Sequence, residues 1–199
     1  MEIVTEFYLK AKGMIEKEYQ WEIDHVEKTL TRPLSEITVD IFFQQYVFVV
    51  LCSYWKEQYA RKEWDRFFDT YDLDVISNTR KRAAVAAGAE YAKDWLIGLK
   101  EADDKIAFLD TLPMIGPVTR YHLARNLGID CVKPDRHLVR LAAAFGYGCS
   151  DKITDQIYIV NRMCKDIQQD LGGGLFEEKL GVIDVVLWRY CNIYGSGGI

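Results

Sequence analysis

Leu112-Pro113-Met114-Ile115-Gly116-Pro117-Val118-Thr119, followed by Lys133-Pro134-Asp135-Arg136-His137, is the part of this chain that decides how the rest is read. Ile106 to Thr111 leads helically into the first segment and Pro117 to Leu127 leads out of it, so a tight Pro/Gly turn joins two helices. A turn ending at Gly116 leaves the first N–H groups of the following helix unpaired and facing outward, which makes an anion site. Pro117 costs nothing there, because the N–H it lacks would go unused at a helix start. Gly128 stops the second helix. Pro134 then sets a turn, and Asp135 stands as a natural N-cap for a helix running to Phe145.

Outward from this region almost every stretch has helical periodicity, with no β-hairpin signal, internal repeat or low-complexity tract. Val4 to Leu30 carries Ile3, Phe7, Met14, Ile15, Trp21 and Val26 among many charges and reads as one or two exposed helices, broken at Thr31-Arg32-Pro33. Thr38 fits an N-cap for a long helix from Val39 to about Tyr59, apolar on most sides. A shorter helix holds Trp64, Phe67 and Phe68 and ends near Tyr71. Ile76 to Leu99 is Ala-rich and helical, and Arg80, Lys81 and Arg82 in its first turns read as a solvated helix start. Thr154 to Leu171 and Glu177 to Tyr194 are the last two helices, separated by Gly172-Gly173-Gly174, and the tail Gly195 to Gly198 is expected to fray. The fold class is all-α.

A chain of 199 residues that is 49% hydrophobic can bury a core as one domain or two packed lobes. Its 12 Tyr and 5 Trp supply core bulk and stacking surfaces. The net charge of −5 argues against a protein that coats nucleic acid nonspecifically. Between Leu112 and Arg140, however, Arg120, Arg125, Lys133, Arg136 and Arg140 face only Asp130 and Asp135, a local surplus of three positive charges. That strip fits a protein touching few phosphates at one place; the alternative is a solvated helix face laced with salt bridges. Cys52, Cys131, Cys149, Cys164 and Cys191 are scattered, odd in number and without a CxxC pair, which suits reduced thiols in a cytosolic protein. No signal-peptide core is present, and Tyr46 to Tyr54, the most apolar run, is too short to span a bilayer and reads as a buried helix.

The hairpin and the spaced carboxylate together resemble the helix-hairpin-helix DNA glycosylases, the superfamily of endonuclease III and the adenine and 3-methyladenine glycosylases. The resemblance is good over Leu109 to Leu141 and thin over Tyr46 to Gly128. The family hairpin reads Leu-Pro-Gly-(Val/Ile)-Gly-x-x-Thr-Ala, and a catalytic Asp follows about a helix and a loop later; here Asp135 lies 19 positions after Gly116. The hairpin alone occurs in many non-enzymatic DNA-binding proteins, whereas the hairpin with a spaced Asp is much less common by chance. The resemblance implies a two-lobed helical fold, with 39–133 as a barrel domain containing the hairpin and 1–38 plus 134–199 as a second lobe. An extruded base would lie in the cleft between them. The implied partner is double-stranded DNA with a modified base, bound by a monomer without membrane association, cytoplasmic and, in a prokaryote, nucleoid-associated.

The same resemblance assigns DNA contacts to Met114, Ile115, Gly116, Val118, Thr119 and Arg120, with Arg136 on a phosphate. It places Na+ or K+ on the hairpin carbonyls near Leu112 and Met114. The closing Cys cluster of endonuclease III is missing, so no iron–sulfur cluster or side-chain metal site is expected. Met114 departs from the family pattern, which has Gly there, and a non-Gly residue resists positive φ. On residues alone the N-cap reading of Asp135 outweighs a catalytic one; the match of Asp135-Arg136-His137-Leu138-Val139-Arg140 to the family's Asp-Thr-His-x-x-Arg-like segment reverses that order. Both roles are compatible, since the positive end of the helix dipole favours a negative charge. Breaking a C1′–N bond builds positive charge on the sugar, which a fixed carboxylate stabilises, and the same group can orient or deprotonate water. His137 reads as a packed or hydrogen-bonded neighbour.

Bifunctional members carry a Lys two residues after the last hairpin Gly as an amine nucleophile, and here that position is Val118. Lys133 lies on an extended pre-proline segment and is expected to point away. The reaction implied is therefore hydrolysis that leaves an abasic site. Val50 to Trp55 sits where the family has the turn that fills the gap left by a flipped base, so Tyr54 or Trp55 is the wedge or stacks on the base; the competing reading makes both core aromatics. Trp188 and Glu22 are placed at the cleft from the second lobe. The leading expectation is a monofunctional DNA glycosylase for a damaged or modified base. A silent helix-hairpin-helix DNA-binding module and a bifunctional glycosylase/lyase with a relocated Lys are the alternatives. The base stays open among alkylated purines, oxidised or deaminated bases and hypermodified pyrimidines.

Overall fold

The computed structural model describes residues 4–172 and 178–195, and every extended regular element among them is an α-helix. In chain order these are α1 (Val4–Thr31), α2 (Val39–Cys52), α3 (Glu57–Thr70), α4 (Thr79–Glu101), α5 (Lys105–Leu109), α6 (Thr119–Asn126), α7 (Arg136–Ala144), α8 (Ile153–Leu171) and α9 (Leu180–Tyr194). Short 3-10 turns at Leu34–Glu36 and Leu73–Val75 lie between them. The all-α expectation therefore holds. The expected helix start at Glu177, the Gly173-Gly174 spacer and the tail from 196 onward lie outside the described residues. The chain divides into two compact units, one of Met1–Thr31 with Gly128–Ile199 and one of Arg32–Leu127.

In the first unit α1, α7, α8 and α9 share one core. The expectation of exposed amino-terminal helices is corrected here. Phe7, Tyr8, Ala11, Ile15, Ile23 and Leu30 form a buried stripe along α1, while Trp21 and Met14 stay outside. Tyr8 and Ala11, rather than the more conspicuous Trp21, carry the packing face. The helix bends at Tyr19, whose φ of −127° and ψ of 22° leave the helical region. Phe7 packs edge-on against Tyr190 of α9 at 5.1 Å and lies 5.2 Å from Phe145. Along α9, Val182 to Leu187 are all buried, including the carboxylate-bearing Asp184.

In the second unit Thr38 caps α2 as expected, its Oγ1 accepting the Ile41 N–H at 3.2 Å. α2 stops at Cys52, however, well short of Tyr59. The chain reverses through Ser53 and Tyr54 before α3 begins at Glu57. α4 is capped by Asn78, and its Gly88 gives room to Tyr46, whose ring would meet a Cβ there at 2.7 Å. The buried Tyr46 hydroxyl lies 3.2 Å from the Ala84 carbonyl and 2.8 Å from that of Pro113. One side chain of α2 thus ties α4 to the hairpin. Burial raises the Tyr46 phenol well above its ordinary range, so it stays a donor at neutral pH.

Candidate active site

The hairpin is built as the spacing predicts. α5 is capped by Asp104, whose Oδ1 accepts the Ala107 N–H at 2.9 Å; the turn follows, and α6 starts at Thr119. Leu112 and Ile115 anchor the turn in the core, and the Ile115 N–H closes it on the Leu112 carbonyl at 3.1 Å. Met114 takes φ +60°, the left-handed conformation that glycine would adopt without strain. The departure from the family pattern therefore leaves the turn in place and adds strain. Met114→Gly should be more stable than Met114→Ala by about 1 kcal/mol in urea denaturation, because both remove the same side chain and only alanine keeps the strain. Equal stabilities would place the strain elsewhere.

Thr119 has a role that sequence alone did not assign. Its Oγ1 accepts the Gly116 N–H at 2.8 Å, so that N–H is occupied within the hairpin. Among the described residues no acceptor meets the N–H of Val118 or Thr119. Gly116 leaves open space: a Cβ there would meet nothing within 4 Å. Arg120 Nη1 pairs with Asp110 at 2.9 Å, and its guanidinium lies 5.2 Å from the Tyr121 ring. Asp110 falls just ahead of Leu112, so the basic surplus of the Leu112 to Arg140 strip is smaller in space than along the chain. Arg136 is exposed and has no carboxylate partner among the described residues.

Asp135 caps α7, its Oδ1 accepting the His137 N–H at 2.8 Å and the Leu138 N–H at 3.3 Å. Oδ2 meets no donor among the described residues and keeps its lone pairs for another partner. The loop that carries Asp135 is fastened to α9 by two carboxylates that sequence reasoning missed. Asp130 accepts the N–H groups of Leu180 and Gly181 at 3.2 and 2.8 Å, closing the start of α9. Asp184, 1% exposed, accepts the Lys133 N–H at 3.2 Å, two residues before Asp135. A lone acid inside the apolar run Val182 to Leu187 was the available signal. Cys191 of α9 has its thiol pushed up to about 11 by burial and then by the Asp135 charge, so it is a neutral neighbour of the carboxylate near pH 7. His137 is half-buried, and its Nδ1 has no hydrogen-bond partner among the described residues.

The structure separates the two wedge candidates. Tyr54 is 100% exposed at φ +61°, which excludes a core role for it. Trp55 is half-buried and lies over the Lys81 ammonium, 3.8 Å from ring centroid to Nζ. The solvated reading of Lys81 is thereby corrected: the residue is 2% exposed. Arg82 too is engaged, with Asp74 at 2.7 Å, and Arg80 alone of the three is exposed without such a partner among the described residues. Glu22 is taken up by Arg189, whose guanidinium also lies 4.9 Å from the Tyr19 ring and 4.8 Å from that of Trp188. Among the described residues no three His, Cys, Asp or Glu side chains gather as a metal site, and no helix is long and apolar enough to cross a membrane.

This all-helical arrangement is the fold of a DNA glycosylase of known structure. In particular, the chain matches the crystal structure of the Methanocaldococcus jannaschii 8-oxoguanine glycosylase/lyase in complex with a 15mer DNA containing 8-oxoguanine. The TM-score is 0.72, over 92% of this chain and 95% of the other, at 15% sequence identity. No protein-family model and no curated protein matches the sequence.

Proposed function

We propose that this chain is a monofunctional DNA glycosylase that hydrolyses the N-glycosidic bond of a damaged or modified base in duplex DNA. The observation that carries the reading is Asp135 held as an N-cap in register behind the hairpin, with one carboxylate oxygen engaged and the other open. The fold it shares with a protein described as an 8-oxoguanine glycosylase/lyase supports the same class of chemistry. In this account Val118 and Thr119 offer N–H groups to a phosphate, and Arg136 contacts another. Asp135 Oδ2 faces the sugar cation that forms as the C1′–N bond breaks, and it orients the attacking water. Its attachment through Asp130 and Asp184 means little reorganisation accompanies that charge development.

The hairpin carbonyls also fit a monovalent cation. Among the described residues the Leu112 carbonyl accepts the Ile115 N–H alone and that of Met114 meets no donor. A cation held there would add positive charge beside the phosphate.

The neighbour is a lyase as well, and a lyase of this kind needs an amine. Val118 stands where the family's bifunctional members place theirs. One observation favours a relocated amine: burial lowers the Lys81 ammonium below the ordinary 10.5. Against it, Nζ donates to the Leu51 carbonyl at 2.6 Å beneath Trp55, and the residue is closed to substrate. Duplexes carrying one lesion each, 8-oxoguanine first, should be converted to abasic sites that break only on alkali or heat. Strand cutting without that treatment, together with a borohydride-trapped adduct, would overturn the monofunctional reading. Binding with no base released from any lesion would make the chain a silent DNA-binding module.

A further inference from the structure

The turn between α2 and α3 holds a residue in a conformation it should resist. Tyr54 at φ +61° carries the steric penalty of the left-handed region, on the order of 1–2 kcal/mol for a residue with a Cβ. At 100% exposure its side chain recovers none of this by burial. Local bonds contribute: the Ser53 N–H meets the Val50 carbonyl at 3.3 Å, and the Trp55 N–H meets that of Cys52 at 3.2 Å. Two further contacts come from a single side chain on another helix. Lys81 of α4 sends Nζ to the Leu51 carbonyl, 2.6 Å away in the last turn of α2, where unpaired carbonyls and the negative end of the dipole favour a cation. The same Nζ lies 3.8 Å from the centre of the Trp55 ring, an attraction that strengthens once water is excluded.

These contacts flank Tyr54 on both sides, three residues before it and one after. A buried ammonium is costly unless its donors are used, so its presence at 2% exposure calls for a return. We propose that Lys81 is a positioning residue, gripping the Leu51 carbonyl and the Trp55 ring so that Tyr54 is held outward, ready to fill the gap in a duplex that has lost a base. The inference rests on reading Tyr54 as the gap-filling residue. A wedge fixed before binding loses little conformational freedom on insertion, whereas one on a loose turn must be ordered at that moment.

The test uses the full chain with two duplexes, one undamaged and one carrying a single tetrahydrofuran abasic-site analogue, and needs no knowledge of the natural lesion. Wild type should prefer the abasic duplex, and Tyr54→Ala should reduce that preference about tenfold, as expected for the loss of one stacked aromatic. Lys81→Met should reduce it to a similar extent with affinity for the undamaged duplex unchanged. The double variant should lose no more than either single one, because Lys81 acts through Tyr54. Amide exchange at Ser53 and Trp55 should speed up in Lys81→Met while α2 and α4 stay protected. Should Lys81→Met not fold, Trp55→Leu removes one of the two contacts and leaves the ammonium in place, with the same changes expected in smaller measure. Additive losses in the double variant, or unchanged exchange at the turn, would overturn the role of Lys81. An unchanged preference in Tyr54→Ala would overturn the wedge reading itself, and the inference with it.

Discussion

Asp135→Asn is expected to slow base excision by about two to three orders of magnitude under single-turnover conditions, the range found when one preorganised electrostatic group is removed. DNA affinity should be unchanged or tighter, because an anion near phosphates is lost. The substitution isolates chemistry from folding. Asparagine caps a helix as well as aspartate, so the bonds that Oδ1 accepts from His137 and Leu138 have a replacement in the amide oxygen. Asp135→Ala, in contrast, should lose excision and about 1 kcal/mol of stability as well. Excision by Asp135→Asn at near-native rate would remove Asp135 from the reaction and leave it a helix cap.

Gly116→Leu is expected to weaken DNA binding about ten- to a hundredfold, the size of one charge-assisted hydrogen bond or a little more. The fold should be kept, because a Cβ at that position meets nothing within 4 Å. What the new side chain obstructs is the approach to the Val118 and Thr119 N–H groups. Arg136→Ala should weaken all duplexes alike and shrink the log–log salt slope by about one unit. Arg120→Ala should shrink it by less, since Asp110 already holds that guanidinium. Unaltered binding by Gly116→Leu would mean that DNA lies elsewhere and the hairpin is merely structural.

What was legible in the sequence was local. Thr38, Asp135 and the Pro/Gly hairpin declare themselves through residues a few positions apart, and the structure builds each of them at the expected place. What was not legible depended on partners far along the chain. No Gly or Pro marks the end of α2. Lys81, 30 positions beyond Leu51, bonds that carbonyl and lies over the Trp55 ring on either side of the Tyr54 reversal, so neither its burial nor the early end of α2 is marked by neighbouring residues. The Arg120–Asp110 pair spans the hairpin turn and alters a charge balance counted along the sequence. Asp184 reads as a misplaced acid until the Lys133 N–H is set against it. In the amino-terminal helix the packing stripe runs through Tyr8 and Ala11, residues less conspicuous than the exposed Trp21.

Identifying the released product tests most directly the proposal that this chain breaks N-glycosidic bonds in DNA. Wild-type protein in excess over duplexes with a single lesion, taken through oxidised, deaminated and alkylated bases in turn, should liberate one intact free base detectable by mass spectrometry. An equal amount of abasic strand should appear with it, and Asp135→Asn should form both about two to three orders of magnitude more slowly. Duplex binding with no free base from any lesion, or base release that Asp135→Asn leaves untouched, would contradict the account.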